Sequence, residues 1–134
     1  MKAAPAKTRR HPHQPFINFC RSLPQATEDI KWKVDLVFSI GDKMFAVFGT
    51  VAPHHFSFKT APAEFRTLTR IDGVIPAPYL ARAHWVAVTR PGALDAARVR
   101  DLLVGAYRLT AAKLPRRRRA ALGMEDWLDG NAEN

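Results

Sequence analysis

Apolar and polar positions alternate with a two-residue period through the middle of the chain, which predicts β-strands there. In "DLVFSI", Leu36, Phe38 and Ile40 fall on one face. The following "GD" is typical of a tight turn, so "KMFAVFGTV" is predicted to return as an antiparallel strand. "HHFSFK" directs Phe56 and Phe58 inward, and "TEDIKW" and "HWVAVTR" complete the predicted sheet.

Helical spacing appears on both sides of these strands and once between them. "PFINFCRSLP" predicts a short amphipathic helix between Pro15 and Pro24, and "APAEFRTLTR" predicts a second helix that starts at Pro62. The longest helix is predicted over residues 93–114, ending before Pro115, with Asp101 and Arg108 on its polar side. Its apolar arc consists of Val99, Leu102, Leu103, Ala106, Leu109 and Thr110. "GVIPAPYLARA" is predicted to be a proline-pinned connection.

This order of elements predicts an α+β fold, a single antiparallel β-sheet packed against N- and C-terminal helices. With 134 residues the chain is long enough for one packed domain. Residues 1–14 lack helical or strand periodicity and are predicted to be a disordered basic arm. Residues 15–115 form the predicted α+β domain, and residues 116–134 a basic and then acidic C-terminal extension.

Charge adds a hypothesis about partners. The formal net charge is +9, and it is not confined to the ends, because basic and acidic residues balance from residue 115 to 134 and only four basic residues lie in the arm. A basic body is compatible with polyanion binding, and its alternative interpretation is solubility through net charge. Cys20 is the only cysteine, so no intramolecular disulfide is expected. With no apolar run of about 18 residues, we expect a soluble, cytoplasmic protein with no membrane partner.

Four segments, in this order and at these spacings, resemble one known family. They are "DIKWKVDLVFSIGDKMFAVF", "FSFKTAPAEF", "GVIPAPYLARAHWVAV" and "LLVGAYRLTAAKLPRRRRAALG". Together they resemble the MmcQ/YjbR family of small bacterial proteins over about residues 15–123. The most specific matches are the Lys31-Trp32 pair, the turn at residues 41–46, the Pro-Tyr at 78–79 and the Trp-Val at 85–86.

The resemblance implies a fold and a function. The implied fold is that of YjbR and the frataxin-like CyaY proteins, with helices on one antiparallel sheet. Members of the family are often labelled DNA-binding, so the resemblance implies that DNA is a partner. Two positions depart from the usual pattern: Lys33 stands where glycine is usual after the Lys-Trp pair, and Ala106 replaces the serine of a Ser-Tyr pair, removing a hydroxyl from any role that depends on it.

Basic and aromatic residues could form one nucleic-acid surface if the open sheet face meets the Pro-Tyr loop. Lysine and arginine would contact phosphates, while Trp32 or Tyr79 would stack on an exposed base. The candidate residues are Lys31, Trp32, Lys33, Lys43, Lys59, Tyr79, Arg82, Arg116, Arg117, Arg118 and Arg119. In the alternative interpretation, which we favour for Trp32, Phe45 and Trp85, the rings belong to the core and the lysines are merely solvated. The arginine run follows the helix stop at Pro115 and is therefore expected on a flexible extension.

Catalytic and metal chemistry find little support. The chain has no glycine-rich phosphate loop and no hydrolase or zinc-protease motif. The histidines of "HPH" and "HH" do not make a metal site unaided, and Glu28 and Asp29, followed by lysines, are a poor cation site. We therefore expect no cofactor, no metal and no enzyme activity. The predicted function is weakly sequence-selective DNA binding by a monomer; the alternative is a protein-interaction or small-ligand adaptor that uses a groove beside residues 76–85.

Overall fold

The computed structural model describes residues 11–124, and these residues form helices packed on one β-sheet. The helices are α1 (Gln14–Ser22), α2 (Pro62–Leu68), α3 (Ala96–Ala112) and α4 (Arg116–Ala121). The strands are β1 (Thr27–Lys31), β2 (Asp35–Ile40), β3 (Lys43–Gly49), β4 (Phe56–Lys59), β5 (Val74–Pro76) and β6 (Trp85–Val88). A short 3₁₀ turn, Ala81–Ala83, lies between β5 and β6. The predicted α+β fold is confirmed.

The sheet is antiparallel throughout, with the strand order β1-β2-β3-β4-β6-β5. Strands β1, β2 and β3 each pair with the next strand along the chain, as short connections favour, whereas β4 pairs with β6. The turn between β2 and β3 is Gly41-Asp42, with φ angles of 58° and 69°. Positive φ at both central residues is the type I′ geometry that matches the twist of a two-residue hairpin.

A β-bulge in β3 sets which side chains reach each face of the sheet. Phe38 pairs with Ala46 but Ser39 pairs with Met44, so Phe45 is the extra residue. Phe45 and Ala46 are both buried in the core. Because the bulge reverses the alternation, Met44 lies on the opposite face from Ala46, although an uninterrupted strand would place these two residues on the same side.

The hydrophobic core lies between the sheet and helices α1 and α3. Aromatic rings of the sheet pack on one another and on α3. Phe48 and Phe56 are stacked at a centroid distance of 5.4 Å, and Phe45 is edge-on to Tyr107 at 5.6 Å. The Tyr107 hydroxyl donates a hydrogen bond to the Pro24 carbonyl oxygen at 2.5 Å, which links α3 to the end of α1. Burying five phenylalanines in this way removes the large apolar area that stabilises a domain of this size.

Three features differ from the sequence-based expectations. The connection after α2 contains a three-residue edge strand, β5, and the prolines of this connection obscured the strand pattern. The expectation of a flexible extension directly after Pro115 is wrong for residues 116–121, which form α4. This short helix is held by packing, because Leu122 contacts the core and Met124 is buried in it. The predicted disordered arm covers residues 1–14, and the expectation is wrong for residues 11–14, where His11 and His13 form hydrogen bonds and Gln14 begins α1. Residues 1–10 and 125–134 lie outside the described residues.

Candidate binding groove on the open face of the sheet

The sheet face opposite the helices carries a concave groove of about 680 Å³. Its floor consists of the outward side chains of β3, β4 and β6, including Met44, Val47 and Ala87. The loop between β3 and β4 forms one wall, and residues 78–80 of the connection between β5 and β6 form another. We call this concavity the aromatic groove, after the two exposed rings that line it, Trp32 and Tyr79.

Both rings are held outward by unusual backbone conformations. Trp32 lies in the turn between β1 and β2 with φ 51°, and Tyr79 lies in the connection between β5 and β6 with φ 67°. Non-glycine residues rarely adopt positive φ, and clusters of them are frequent at ligand sites. Trp32 is 62 % exposed and Tyr79 is fully exposed. The favoured core assignment is therefore wrong for Trp32, although it is confirmed for Phe45 and Trp85.

The groove is mainly apolar but contains a few polar groups. Asp35 and Ser57 lie on its floor, and His54 and His55 lie on the wall formed by the loop between β3 and β4. Burial raises the pKa of the Asp35 carboxyl above its ordinary value. Asp35 is also directly opposite Lys31 in the β1–β2 ladder. A few polar groups in an apolar concavity can orient a bound molecule, as is usual for ligand sites.

The basic residues predicted to surround the rings are divided between two places. Lys31 and Lys33 flank Trp32 in sequence, and Lys33 is exposed in the same turn with φ 71°. Lys43 and Lys59 instead line a second, smaller concavity that contains Trp85. The structure therefore brings Trp32 and Tyr79 to one groove but places Lys43 and Lys59 in a separate pocket.

The remaining predicted contacts, Arg82 and the arginine run, do not line the aromatic groove. Arg82 is exposed in the 3₁₀ turn, next to Ala83, whose carbonyl oxygen accepts a hydrogen bond from the Lys59 ammonium at 2.8 Å. In α4, the Arg118 guanidinium forms an ion pair with Asp42 at 2.8 Å, which places the helix beside the β2–β3 turn. Arg116, Arg117 and Arg118 are exposed, and Arg119 is partly buried.

A cluster of three histidines, unexpected from sequence, supports the wall of the aromatic groove. His11 Nε2 donates a hydrogen bond to the Gly49 carbonyl oxygen at 2.6 Å, and His13 Nε2 donates one to the His54 carbonyl oxygen at 3.1 Å. The His11 Nδ1 atom accepts the His13 backbone N–H at 2.9 Å, so the neutral His11 ring uses both nitrogens. No group of three or more His, Cys, Asp or Glu side chains within residues 11–124 is arranged to hold a metal ion.

Sequence reasoning did not identify most of the groove floor. Met44 was hidden by the bulge, and the closeness of the histidines depends on contacts between residues some 40 positions apart, such as His13 with His54. The outward positions of β6 gave no polar signal, because Trp85 and Ala87 are themselves apolar. Among the described residues, no helix is long and apolar enough to cross a lipid bilayer.

Comparison with known proteins places the chain in a family. The YjbR family model matches residues 21–109. A Deinococcus radiodurans protein with a DUF419 domain has 29 % sequence identity and a TM-score of 0.73, with 81 % of this chain and 85 % of that chain covered. A Pseudomonas syringae protein has 23 % identity and a TM-score of 0.62, with 73 % and 97 % covered, which shows the shared fold. None of the curated proteins compared with the chain matches it. Since the family model spans well over half of its length, the chain belongs to the YjbR family.

Proposed function

We propose that the protein is a non-enzymatic nucleic-acid-binding member of the YjbR family that holds unpaired bases in the aromatic groove. The single observation that carries this proposal is the pair of exposed rings, Trp32 and Tyr79, lining one groove. Exposed aromatic rings offer a flat surface on which any base can stack, and nearby cations attract the phosphates between bases. Lys31 and Lys33, on either side of Trp32, are the phosphate contacts nearest to it in sequence.

The apolar floor favours unpaired bases over a duplex. Side chains such as Met44 and Val47 offer dispersion contacts to a base that has left its stack, whereas duplex bases present only their edges. Stacking on rings is tolerant of sequence, because every base has a π-face. Binding in the aromatic groove is therefore expected to be only weakly sequence-selective. Most of the binding energy would come from stacking on the rings and a smaller part from charge.

The experiment measures the anisotropy of labelled single-stranded and duplex oligonucleotides with the full chain over a salt series. Trp32→Ala and Tyr79→Ala are each expected to weaken single-strand binding by roughly 5- to 150-fold, from about 1–3 kcal/mol per stacked base. Lys33→Gln should reduce the salt slope by about one. Ile30→Ala is the matched control, because Ile30 is 52 % exposed but does not line the groove. Wild-type affinity in both ring variants would refute the proposal.

A second candidate follows from the same groove. The lining is mostly apolar with one partly buried carboxylate, Asp35, which would suit an apolar small molecule or peptide carrying a cationic group. Salt separates the two candidates, since phosphate-dominated affinity falls steeply with salt and apolar binding changes little. Loss of oligonucleotide binding at low salt, together with salt-independent uptake of an apolar fluorescent probe that Trp32→Ala abolishes, would favour this second function.

A further inference from the structure

A second concavity, of about 320 Å³, lies at the opposite end of β3 from Trp32 and is distinct in chemistry from the aromatic groove. It is an open concavity bordered by the first residues of β3, the last residue of β4, the first residue of β6 and the C-terminal end of α3. Its lining residues are Lys43, Met44, Lys59, Trp85, Thr110 and Lys113. We call it the lysine pocket, because three of these six residues are lysines.

Within the part of the chain that the structure describes, no carboxylate is ion-paired with a lysine of the pocket. The ion pairs described within residues 11–124 all use arginines. The acid adjacent to Lys43 in sequence, Asp42, is paired with Arg118 at 2.8 Å. Burial lowers the pKa of the Lys59 ammonium, and repulsion from Lys113 lowers it further. The three cations therefore converge on a concavity where no carboxylate of residues 11–124 forms an ion pair with them, an arrangement that an anion would stabilise.

A buried hydroxyl in the same pocket lacks a hydrogen-bond partner. Thr110 is only 4 % exposed, and its Oγ1 forms no hydrogen bond within the described part of the chain. Buried polar atoms are nearly always paired, and leaving one unpaired costs about 1–3 kcal/mol. Since Oγ1 is itself covered, rotation about the Thr110 Cα–Cβ bond is the movement that would turn the hydroxyl toward the pocket. An acceptor bound there would satisfy it.

Other roles account for parts of the cluster but not for the whole. Lys113 is the C-cap of α3, where a cation offsets the partial negative charge of the helix end. Lys59 donates one of its three protons to the Ala83 carbonyl oxygen and keeps two others for further bonds. Neither role explains why Lys43 joins them or why the Thr110 hydroxyl, on the same wall, is unpaired.

We propose that the lysine pocket binds an oxyanion, and that its best-matched ligand is a phosphate group. A phosphate carries roughly two negative charges and three acceptor oxygens, which matches three ammonium groups and one hydroxyl better than a carboxylate does. Met44 and Trp85 form an apolar wall suited to the organic part of a phosphate ester. This proposal does not rest on stacking in the aromatic groove, although Met44 lines both concavities.

Two sources could supply the phosphate: the free ion or the terminal phosphate of a nucleic-acid strand. The first test titrates the full chain with inorganic phosphate at constant ionic strength and follows backbone amide signals by NMR. We expect saturable shifts concentrated at Thr110 and Lys113. Lys59→Gln and Lys113→Gln should each weaken phosphate binding roughly tenfold or more, as for a hydrogen bond to a charged group. Arg100→Gln is the matched control, because Arg100 is an exposed basic residue of α3 that lines neither concavity.

Thr110→Val separates binding from folding. Valine keeps the shape of threonine and removes the unpaired hydroxyl, so Tm should be unchanged or higher while phosphate binding weakens roughly tenfold. Comparing 5′-phosphorylated and unphosphorylated oligonucleotides of one sequence then identifies the source. A preference for the phosphorylated strand that Lys59→Gln removes assigns the pocket to strand ends, and binding of inorganic phosphate alone assigns it to the free ion.

Two results would overturn the lysine-pocket proposal. One is the absence of saturable shifts even at high phosphate concentration. The other is an equal loss of phosphate binding in Arg100→Gln and Lys59→Gln, which would show a general effect of net charge. The two proposals can fail independently. Trp32→Ala leaves the residues of the lysine pocket intact, so its phosphate titration should match that of the wild type whether or not the aromatic groove binds nucleic acid.

Discussion

We expect His13→Gln to lose less stability than the wild type when the pH falls from about 7.5 to about 5. Burial lowers the pKa of His13 below its ordinary value of 6.5, and the neighbouring His11 and His54 lower it further, against the raising effect of its backbone hydrogen bond. The unfolded chain therefore takes up this proton at a higher pH than the folded chain does. The contribution of this pKa difference to the free energy of unfolding is fully present above pH 6.5 and is lost as the pH falls from 6.5 through the lowered pKa.

Burial contributes most to the effect, and the geometry of the histidine cluster sets the size of the repulsive part. The rings of His11 and His13 are 5.6 Å apart, and those of His11 and His54 are 5.0 Å apart. Two unit charges at such distances repel by about 0.7 kcal/mol in water and about 3 kcal/mol at an effective dielectric constant of 20. One proton changes stability by at most about 1.4 kcal/mol per pH unit. Because His13 is only partly buried, we expect a difference of about 1 kcal/mol at pH 5.

The assay is urea unfolding of the wild type and two variants at both pH values. In His13→Gln, the side-chain amide can donate to the His54 carbonyl oxygen as Nε2 does now, but it does not titrate. His55→Gln is the control, because His55 is exposed and lies outside these contacts. The reasoning is refuted if His13→Gln loses as much stability between the two pH values as the wild type does.

Three further predictions concern the packed body. Tyr107→Phe leaves the Pro24 carbonyl without this hydrogen bond and should lower the free energy of unfolding by about 1–2 kcal/mol in chemical denaturation; an unchanged midpoint would contradict this. Gly41→Ala places a Cβ 2.6 Å from the Leu114 Cδ1 atom at a φ of +58°, so Tm should fall by an amount equivalent to about 1–2 kcal/mol, and a higher Tm would refute it. Burial raises the pKa of the Cys20 thiol to about 12, so a thiol reagent at neutral pH should label it only in denaturant; rapid labelling of the folded protein would show that the thiol is accessible.

Local pattern was sufficient for most of the elements. The two-residue alternation of "DLVFSI" and "HHFSFK" predicted β2 and β4, and the Gly41-Asp42 turn between β2 and β3 was visible as a dipeptide that accepts positive φ. The long helix was predicted over 93–114 and is observed as Ala96–Ala112, with Asp95 as its N-cap accepting the Arg98 N–H at 2.8 Å. These signals are local, because hydrogen-bond geometry and burial repeat within a few residues.

Sequence patterns were misleading where a single residue changes the local backbone geometry. The bulge at Phe45 reverses the alternation, so Met44 belongs to the groove floor rather than to the core. The prolines of "GVIPAPYL" concealed β5, because a three-residue edge strand needs few backbone donors. Trp32 was assigned to the core on the general preference of tryptophan for burial, but its turn, with φ 51°, directs the ring outward.

The amino-acid sequence alone established the α+β class, the family and the basic character of the body, because periodicity, short motifs and net charge are properties of neighbouring residues. The two concavities depended on the folded chain. Trp32 and Tyr79 are 47 positions apart in the sequence, yet both line one groove on the open face of the sheet. Lys43, Lys59 and Lys113 likewise converge only because the antiparallel ladder and the end of α3 bring three distant backbones together. Periodicity shows which face of an element is buried, but the choice of distant segments that pack together is set by tertiary contacts, which have no signature in neighbouring residues.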